Sequence, residues 1–225
     1  MIGRVFQIFR EKGGLLKALD LWDWYESLEP KYQKAIKKYY SIKVIKNLNF
    51  PYKAKHFDSG EVERPLYTKR TFLATIAQTA LLEGDYGFAE WLYNEALKQE
   101  GTPYEAHLIY NDLLLLSQKL RDFEKMKKYC EEDIKLYPQY KEELKKRWGG
   151  KLPQINTFEV YVYLLEREGR IREALEFVEF IRREGITYPY YEEVKERLLG
   201  KIGDEGNKQG DQKGDKAPEG GKDSP

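Results

Sequence analysis

The sequence predicts an all-α protein, a right-handed stack of helical hairpins with a C-terminal capping helix and a disordered tail. Three observations predict it. One pattern occurs three times: Gly84-Asp85-Tyr86 followed by Ala89, Tyr93 and Ala96; Arg121-Asp122-Phe123 followed by Met126 and Cys130; and Gly169-Arg170-Ile171 followed by Ala174, Val178 and Ile181. Each has a turn, an apolar residue, a small or slim residue three further on and another apolar residue four beyond that, as two closely packed antiparallel helices require. The composition, 41% hydrophobic and 34% charged, suits helices with one apolar stripe and one solvated face. From Gly203 to Pro225 the chain has no aromatic residue, too little apolar surface to offset the entropy of ordering.

The elements follow in order. Ile2 to Phe9, with Gly13, Leu15, Ala18, Trp22 and Pro30 after it, has the spacing of a degenerate hairpin. Lys31 to Leu48 reads as an amphipathic helix with Ala35, Ile36, Tyr39, Ile42 and Ile45 inward. Phe50 to Pro65 contains Pro51, Gly60 and Pro65 and no clear period, so it reads as a long connector. The first repeat, about Arg70 to Glu100, buries Leu73, Ile76, Ala77 and Ala80 from its leading helix and Phe88, Ala89, Leu92, Tyr93 and Ala96 from its second. The second opens on a capping box, with Thr102 as N-cap, Pro103 at the first helical position and Glu105 reaching back. It is expected to end near Tyr137-Pro138, followed by a separate polar helix, Tyr140 to Trp148, and a Gly149-Gly150 break. The third repeat, about Asn156 to Gly185, places Phe158, Tyr161, Val162 and Leu165 against Ala174, Leu175, Val178 and Ile181. A short helix, Tyr190 to Leu199, then caps the array. The organisation expected is a basic helical region over 1–69, repeats over 70–200 and a disordered tail over 201–225.

Composition excludes several function classes. The longest purely aliphatic run is Leu113 to Leu116, far short of the roughly 20 residues of a membrane span, so no membrane insertion is expected. Arg4, Arg10, Glu11 and Lys12 interrupt the N-terminal apolar residues, unlike a signal peptide, and a cytoplasmic location follows as an expectation. The single cysteine, Cys130, precludes an internal disulfide, and His56 and His107 have no partners at ligand spacing, so no metal or other cofactor is expected. With no Gly-rich phosphate loop, nucleophile elbow or paired histidine, no catalytic residue is assigned and the protein is expected not to be an enzyme. Abundant Lys, Glu and Tyr lean toward a thermophile's composition.

The hairpins resemble the tetratricopeptide (TPR) family through Gly84, Tyr86, Ala89, Tyr93 and Ala96, then Pro138, then Gly169 and Ala174. The likeness covers roughly Arg70 to Tyr190. Ala89, Met126 and Ala174 stand 37 and 48 residues apart against a family period of 34, so the second interval contains an insertion. The resemblance implies an α-solenoid whose leading helices line a concave, partner-binding face. Carried over by position, that face comprises Thr71, Ala74, Thr75 and Gln78, then Leu108, Asn111, Asp112 and Leu115, then Asn156, Glu159, Val160 and Tyr163. It implies a scaffold or adaptor that binds a helix or extended peptide of unidentified origin. The third hairpin also resembles a pentatricopeptide repeat, although Glu159 stands where that family presents a base-reading Asn, Ser or Thr.

Charge supplies the alternative. Residues 1–70 hold 15 Lys and Arg against 8 Asp and Glu. A basic patch of Lys34, Lys37 and Lys38, interleaved with Tyr32, Tyr39 and Tyr40, has the composition of a nucleic-acid contact: lysines for phosphates and tyrosines for stacked bases. A solvated helix face accounts for the same lysines. Trp24 and Trp148 fit their helical stripes least well and are the candidate exposed anchors.

Overall fold

The computed structural model describes residues 12–211. Among them are ten α-helices, one 3₁₀ turn and no strand: α1 (Gly14–Ala18), α2 (Trp22–Ser27), α3 (Pro30–Lys46), the turn Ala54–Phe57, α4 (Lys69–Leu82), α5 (Tyr86–Leu97), α6 (Pro103–Leu120), α7 (Phe123–Arg147), α8 (Asn156–Arg167), α9 (Ile171–Arg183) and α10 (Pro189–Asp211). The expected all-helical class is observed. Packing divides the chain into two units, and the division falls in sequence between Tyr140 and Lys141.

In the first unit the apolar stripes of α4 and α5 close on each other. Leu73, Ile76, Ala77 and Ala80 face Phe88, Ala89, Leu92, Tyr93 and Ala96, and all are buried. Ala77, Ala80, Ala89 and Ala96 have no exposed surface, so small side chains let the backbones approach. Gly84, at φ 82°, turns the chain between the two helices, and Asp85 caps α5 by accepting from Phe88 N–H. The core is continuous from Leu15 to Tyr129, so the boundary expected between residues 69 and 70 is not a packing boundary. Tyr40 of α3 packs on Phe57 and Phe72, and Tyr39 stacks on Phe88.

Several expectations are corrected. Ile45 is 74% exposed because it lies in the last turn of α3, beyond the stretch that Ile36, Tyr39 and Tyr40 bury. The connector Phe50–Pro65 is packed: Phe57, Tyr52 and Asp58 are buried, and Gly14, at φ 64°, donates its N–H to Gly60 O at 2.7 Å. A Cβ on Gly14 would sit 2.6 Å from His56 O, so only glycine fits that crossing. The degenerate hairpin's proposed leading helix, Ile2 to Phe9, lies outside the described residues. Its second half is two short helices broken at Asp20, which has φ 50°. Pro138 does not end the second hairpin: α7 continues through it, and Tyr140 to Trp148 is no separate helix. Met126, Cys130, Asp133, Tyr137, Tyr140 and Leu144 are all buried at alternating three- and four-residue spacing, so one side stays inward past the proline.

In the second unit α8 packs on α9 and α9 on α10. Phe158, Val162 and Leu165 are buried, as are Ala174, Val178, Ile181, Tyr191, Val194 and Leu198. α10 runs to Asp211, well past the Leu199 end expected for the capping helix and through the first residues of the expected tail. The remainder of that tail, 212–225, lies outside the described residues. No helix among the described residues is long and apolar enough to cross a membrane.

Candidate functional site

Two capping boxes place α4 beside α6. Thr68 caps α4 by exchanging hydrogen bonds with Thr71, and Thr102 caps α6 by exchanging them with Glu105. Thr68 Oγ1 also donates to Glu105 Oε1 at 3.2 Å, joining the two boxes. Arg70 completes the junction: Nη1 donates to Thr102 O at 2.9 Å, and Nη2 donates to Gln99 O at 2.6 Å and Leu97 O at 3.4 Å. The start of α4 is thereby fixed to the α5–α6 turn.

Alongside this junction runs a groove of about 160 Å³, lined by Thr71, Ala74, Thr75 and Gln78 of α4 and by Glu105, Leu108, Ile109 and Asp112 of α6. The structure thus brings together Thr71, Ala74, Thr75, Gln78, Leu108 and Asp112 of the expected face. Asn111 and Leu115 are not part of the groove lining. Asn111 Nδ2 turns aside to donate to His107 O at 3.0 Å, and Leu115 lies further along α6, 43% exposed. Burial raises the Asp112 carboxyl above the ordinary aspartate value, and a 2.7 Å hydrogen bond from Tyr93 O–H to Oδ2 partly offsets this. The Tyr93 phenol is itself pushed up by burial and by Asp112. Among the described residues nothing donates to Asp112 Oδ1, so the groove retains one acceptor.

The remaining expected residues fall in the second unit, on α8. Glu159 is half-buried, and burial raises its carboxyl while a hydrogen bond involving Gln154 acts the other way. Tyr163 is 48% exposed beside Glu166, Arg167, Arg197 and Lys201. Asn156 is exposed, but Val160 is 7% exposed and belongs to the core, because residues 158, 162 and 165 leave position 160 on a second covered side of α8.

The basic patch on α3 loses the stacking platforms it was expected to offer. Tyr40 is fully buried and its O–H donates to Lys53 O. Tyr39 is buried with its O–H on Asp85 Oδ2 at 2.7 Å, and Tyr32 stacks on Trp91 at 4.0 Å. Lys37 is paired with the buried Asp58 at 2.5 Å and Lys38 lies over the Tyr39 ring, while Lys34 is exposed. Trp148 is 61% exposed as expected of an anchor, but Trp24 is half-buried against the core with Nε1 donating to Glu95 Oε2.

One buried polar cluster escaped sequence reasoning. His107 Nδ1 lies 2.9 Å from both oxygens of Asp133; a carboxylate only accepts, so Nδ1 donates. Tyr140 stacks on the imidazole at 4.3 Å and extends its O–H toward Asp133 Oδ2 at 3.4 Å. Asp133 is 26 residues from His107, a separation that no local motif marks. Cys130 is fully buried nearby, and desolvation, with Asp133 and Glu131, pushes its thiol well up, which removes its nucleophilic character. Among the described residues no cluster of three or more His, Cys, Asp or Glu could hold a metal ion.

No family model and no solved structure matches this chain. A protein of Aquifex aeolicus (strain VF5), described as an uncharacterized protein, is 76% identical over 202 residues, covering 90% of this chain and 100% of the relative. That source is a thermophile, in line with the Lys- and Glu-rich composition. At this identity and coverage, the chain belongs to the same family as the Aquifex aeolicus protein.

Proposed function

We propose that the protein is a non-catalytic, TPR-like helical-repeat module that binds a peptide segment in the groove between α4 and α6. The observation that carries this reading is the convergence of Thr71, Thr75, Gln78 and Asp112 on one groove with an apolar floor of Ala74 and Ile109 and an exposed rim at Leu108. A peptide fits these surfaces chemically. Asp112 Oδ1 accepts from a backbone amide or a basic side chain, the Gln78 amide donates and accepts, and Leu108 covers a neighbouring apolar side chain. Position favours the same groove, since leading helices packed side by side form the binding face of such arrays.

The test is selection of random displayed peptides on the immobilised protein. Enrichment of an apolar residue next to Arg or Lys, lost when Ala74→Arg fills the groove and Leu108→Asp reverses its rim, supports the reading. An unchanged peptide preference in that double variant, with melting as in the parent, would sink it.

A further inference from the structure

The row of side chains that lines the α4–α6 groove continues beyond it. The two helices start side by side, joined by the contacts of Thr68 with Glu105 and of Arg70 with Thr102, and two turns on Gln78 and Asp112 still line one groove. α4 and α6 therefore run parallel. One turn past Gln78 and Asp112 stand Leu82, the last residue of α4, and Leu115. Leu82 is 77% exposed and Leu115 is 43% exposed, while their chain neighbours Leu81 and Leu116 belong to the core. At the near end of the groove, Leu108 is 46% exposed.

Along α6 the outward surface accordingly alternates: apolar at Leu108, acidic at Asp112, apolar at Leu115. Single exposed leucines are ordinary. Three on the same side of two adjacent helices, flanking a carboxylate whose Oδ1 receives no donor among the described residues, make a pattern that a partner can read. Its spacing selects the partner's backbone. Leu108 and Leu115 are seven residues apart, about 10.5 Å at the helical rise. In a second α-helix lying along α6, residues at that same separation cover the distance and project from one side. In a strand the distance spans about three residues, and side chains that far apart point to opposite faces.

Resting on the peptide-binding reading of this groove, we propose that its partner is a basic amphipathic α-helix, with two apolar residues two turns apart and an Arg or Lys between them on the same face. The first apolar side chain covers Leu108 and Ala74, the cation donates to Asp112 Oδ1, and the second apolar side chain packs between Leu82 and Leu115. Charge selects the middle residue, since the ionisable residues of the groove, Glu105 and Asp112, are both acidic. An arriving cation also offsets the burial that raises the Asp112 carboxyl.

Fluorescence anisotropy of the full chain with labelled peptides of about 15 residues, stapled into helices on the far face, tests the partner's form. The matched peptide carries Leu, Arg and Leu in the spacing above. A shifted peptide of the same composition moves the second leucine two positions, to the opposite side, and a third, unstapled, has a central proline. The matched peptide should bind about tenfold or more tighter than either, the effect of one buried leucine. Leu82→Ser combined with Leu115→Ser should erase that preference, and because both side chains are exposed the variant should melt like the parent. Asp112→Asn should abolish the preference for Arg over Gln at the middle position. Equal binding of matched and shifted peptides, a preference that survives the serine variant, or tighter binding of the proline peptide would overturn the helix. The groove reading stands in each of those cases if Ala74→Arg with Leu108→Asp still abolishes capture, and binding of no peptide would overturn both. A parent that sediments as a dimer, with the serine variant monomeric, would assign this face to a second copy of the chain and also overturn the proposal.

Discussion

The Tyr93 phenol on α5 donates to Asp112 Oδ2 on α6 at 2.7 Å, so a groove-lining carboxylate is held from behind by the core of the preceding hairpin. Its environment sets the sign of its contribution. Burial raises the Asp112 carboxyl above its unfolded value, so the native state binds the proton more readily than the unfolded chain. Ionisation then costs the native state stability. The penalty is absent below the unfolded value of about 3.9 and grows as pH rises through the folded value. Asp112→Asn keeps an acceptor for Tyr93 and removes the charge, so its stability relative to the parent should improve from pH 3 to pH 7. Urea unfolding at both pH values checks this, and an unvarying difference would contradict it.

Arg70 should be the side chain whose loss most loosens the α4–α6 arrangement. Its guanidinium spans three carbonyls across the α5–α6 turn, a fork that lysine cannot reproduce. Arg70→Met should lower stability by about 1.5–3 kcal/mol, the range for a hydrogen bond from a charged donor, and Arg70→Lys should recover only part of it. Chemical denaturation of the three proteins gives the ranking. Equal stability of the lysine variant and the parent would show that charge, not geometry, matters there.

The α4–α5 hairpin was legible in the sequence because its nine inward residues repeat with helical period and every one of them is buried. Four residues of α4, Thr71, Ala74, Thr75 and Gln78, and two of α6, Leu108 and Asp112, line one groove, as their spacing one turn apart on adjacent helices allows. Asn111 and Val160 were misplaced for different physical reasons, one drawn aside by His107 and the other covered by packing. The clamp at Arg70 and the His107–Asp133 pair could not be read, because each depends on partners 26 or more residues away. Tyr39 and Tyr40 resembled stacking platforms because composition does not reveal which side of α3 meets the core.

Pro138 gives a prediction with the opposite direction of effect. It sits inside α7, where its ring cannot donate the backbone hydrogen bond of a helical residue, yet the helix persists and the side chain is exposed. The buried residues on either side, Tyr137 and Tyr140, hold the helix together against that cost. Pro138→Ala should therefore stabilise the protein, by up to about 3 kcal/mol, without altering helical content. Thermal melts followed by circular dichroism test it. A destabilised variant would mean that a bend at Pro138 is required by the packing around Tyr140.

The two readings of the unit that contains α3, α4 and α6 differ in which charges a ligand meets. In the groove the ionisable residues are Asp112 and Glu105, so peptide capture should weaken when Gln78→Arg and Thr75→Lys place positive charge beside a basic ligand. On α3 the tyrosines are already engaged, Lys37 is paired with Asp58, and Lys34 is left without a neighbouring exposed ring. Neutralising Lys34 and Lys38 with Gln should accordingly leave peptide capture unchanged. It should also produce no loss of single-stranded RNA or DNA binding in gel shifts at low salt. Nucleic-acid binding on α3 would instead appear as a shift that the lysine variant abolishes, with affinity falling steeply as salt rises because bound phosphates release their counterions. That outcome, with peptide capture indifferent to Gln78→Arg and Thr75→Lys, would move the binding surface of this unit from the α4–α6 groove to α3.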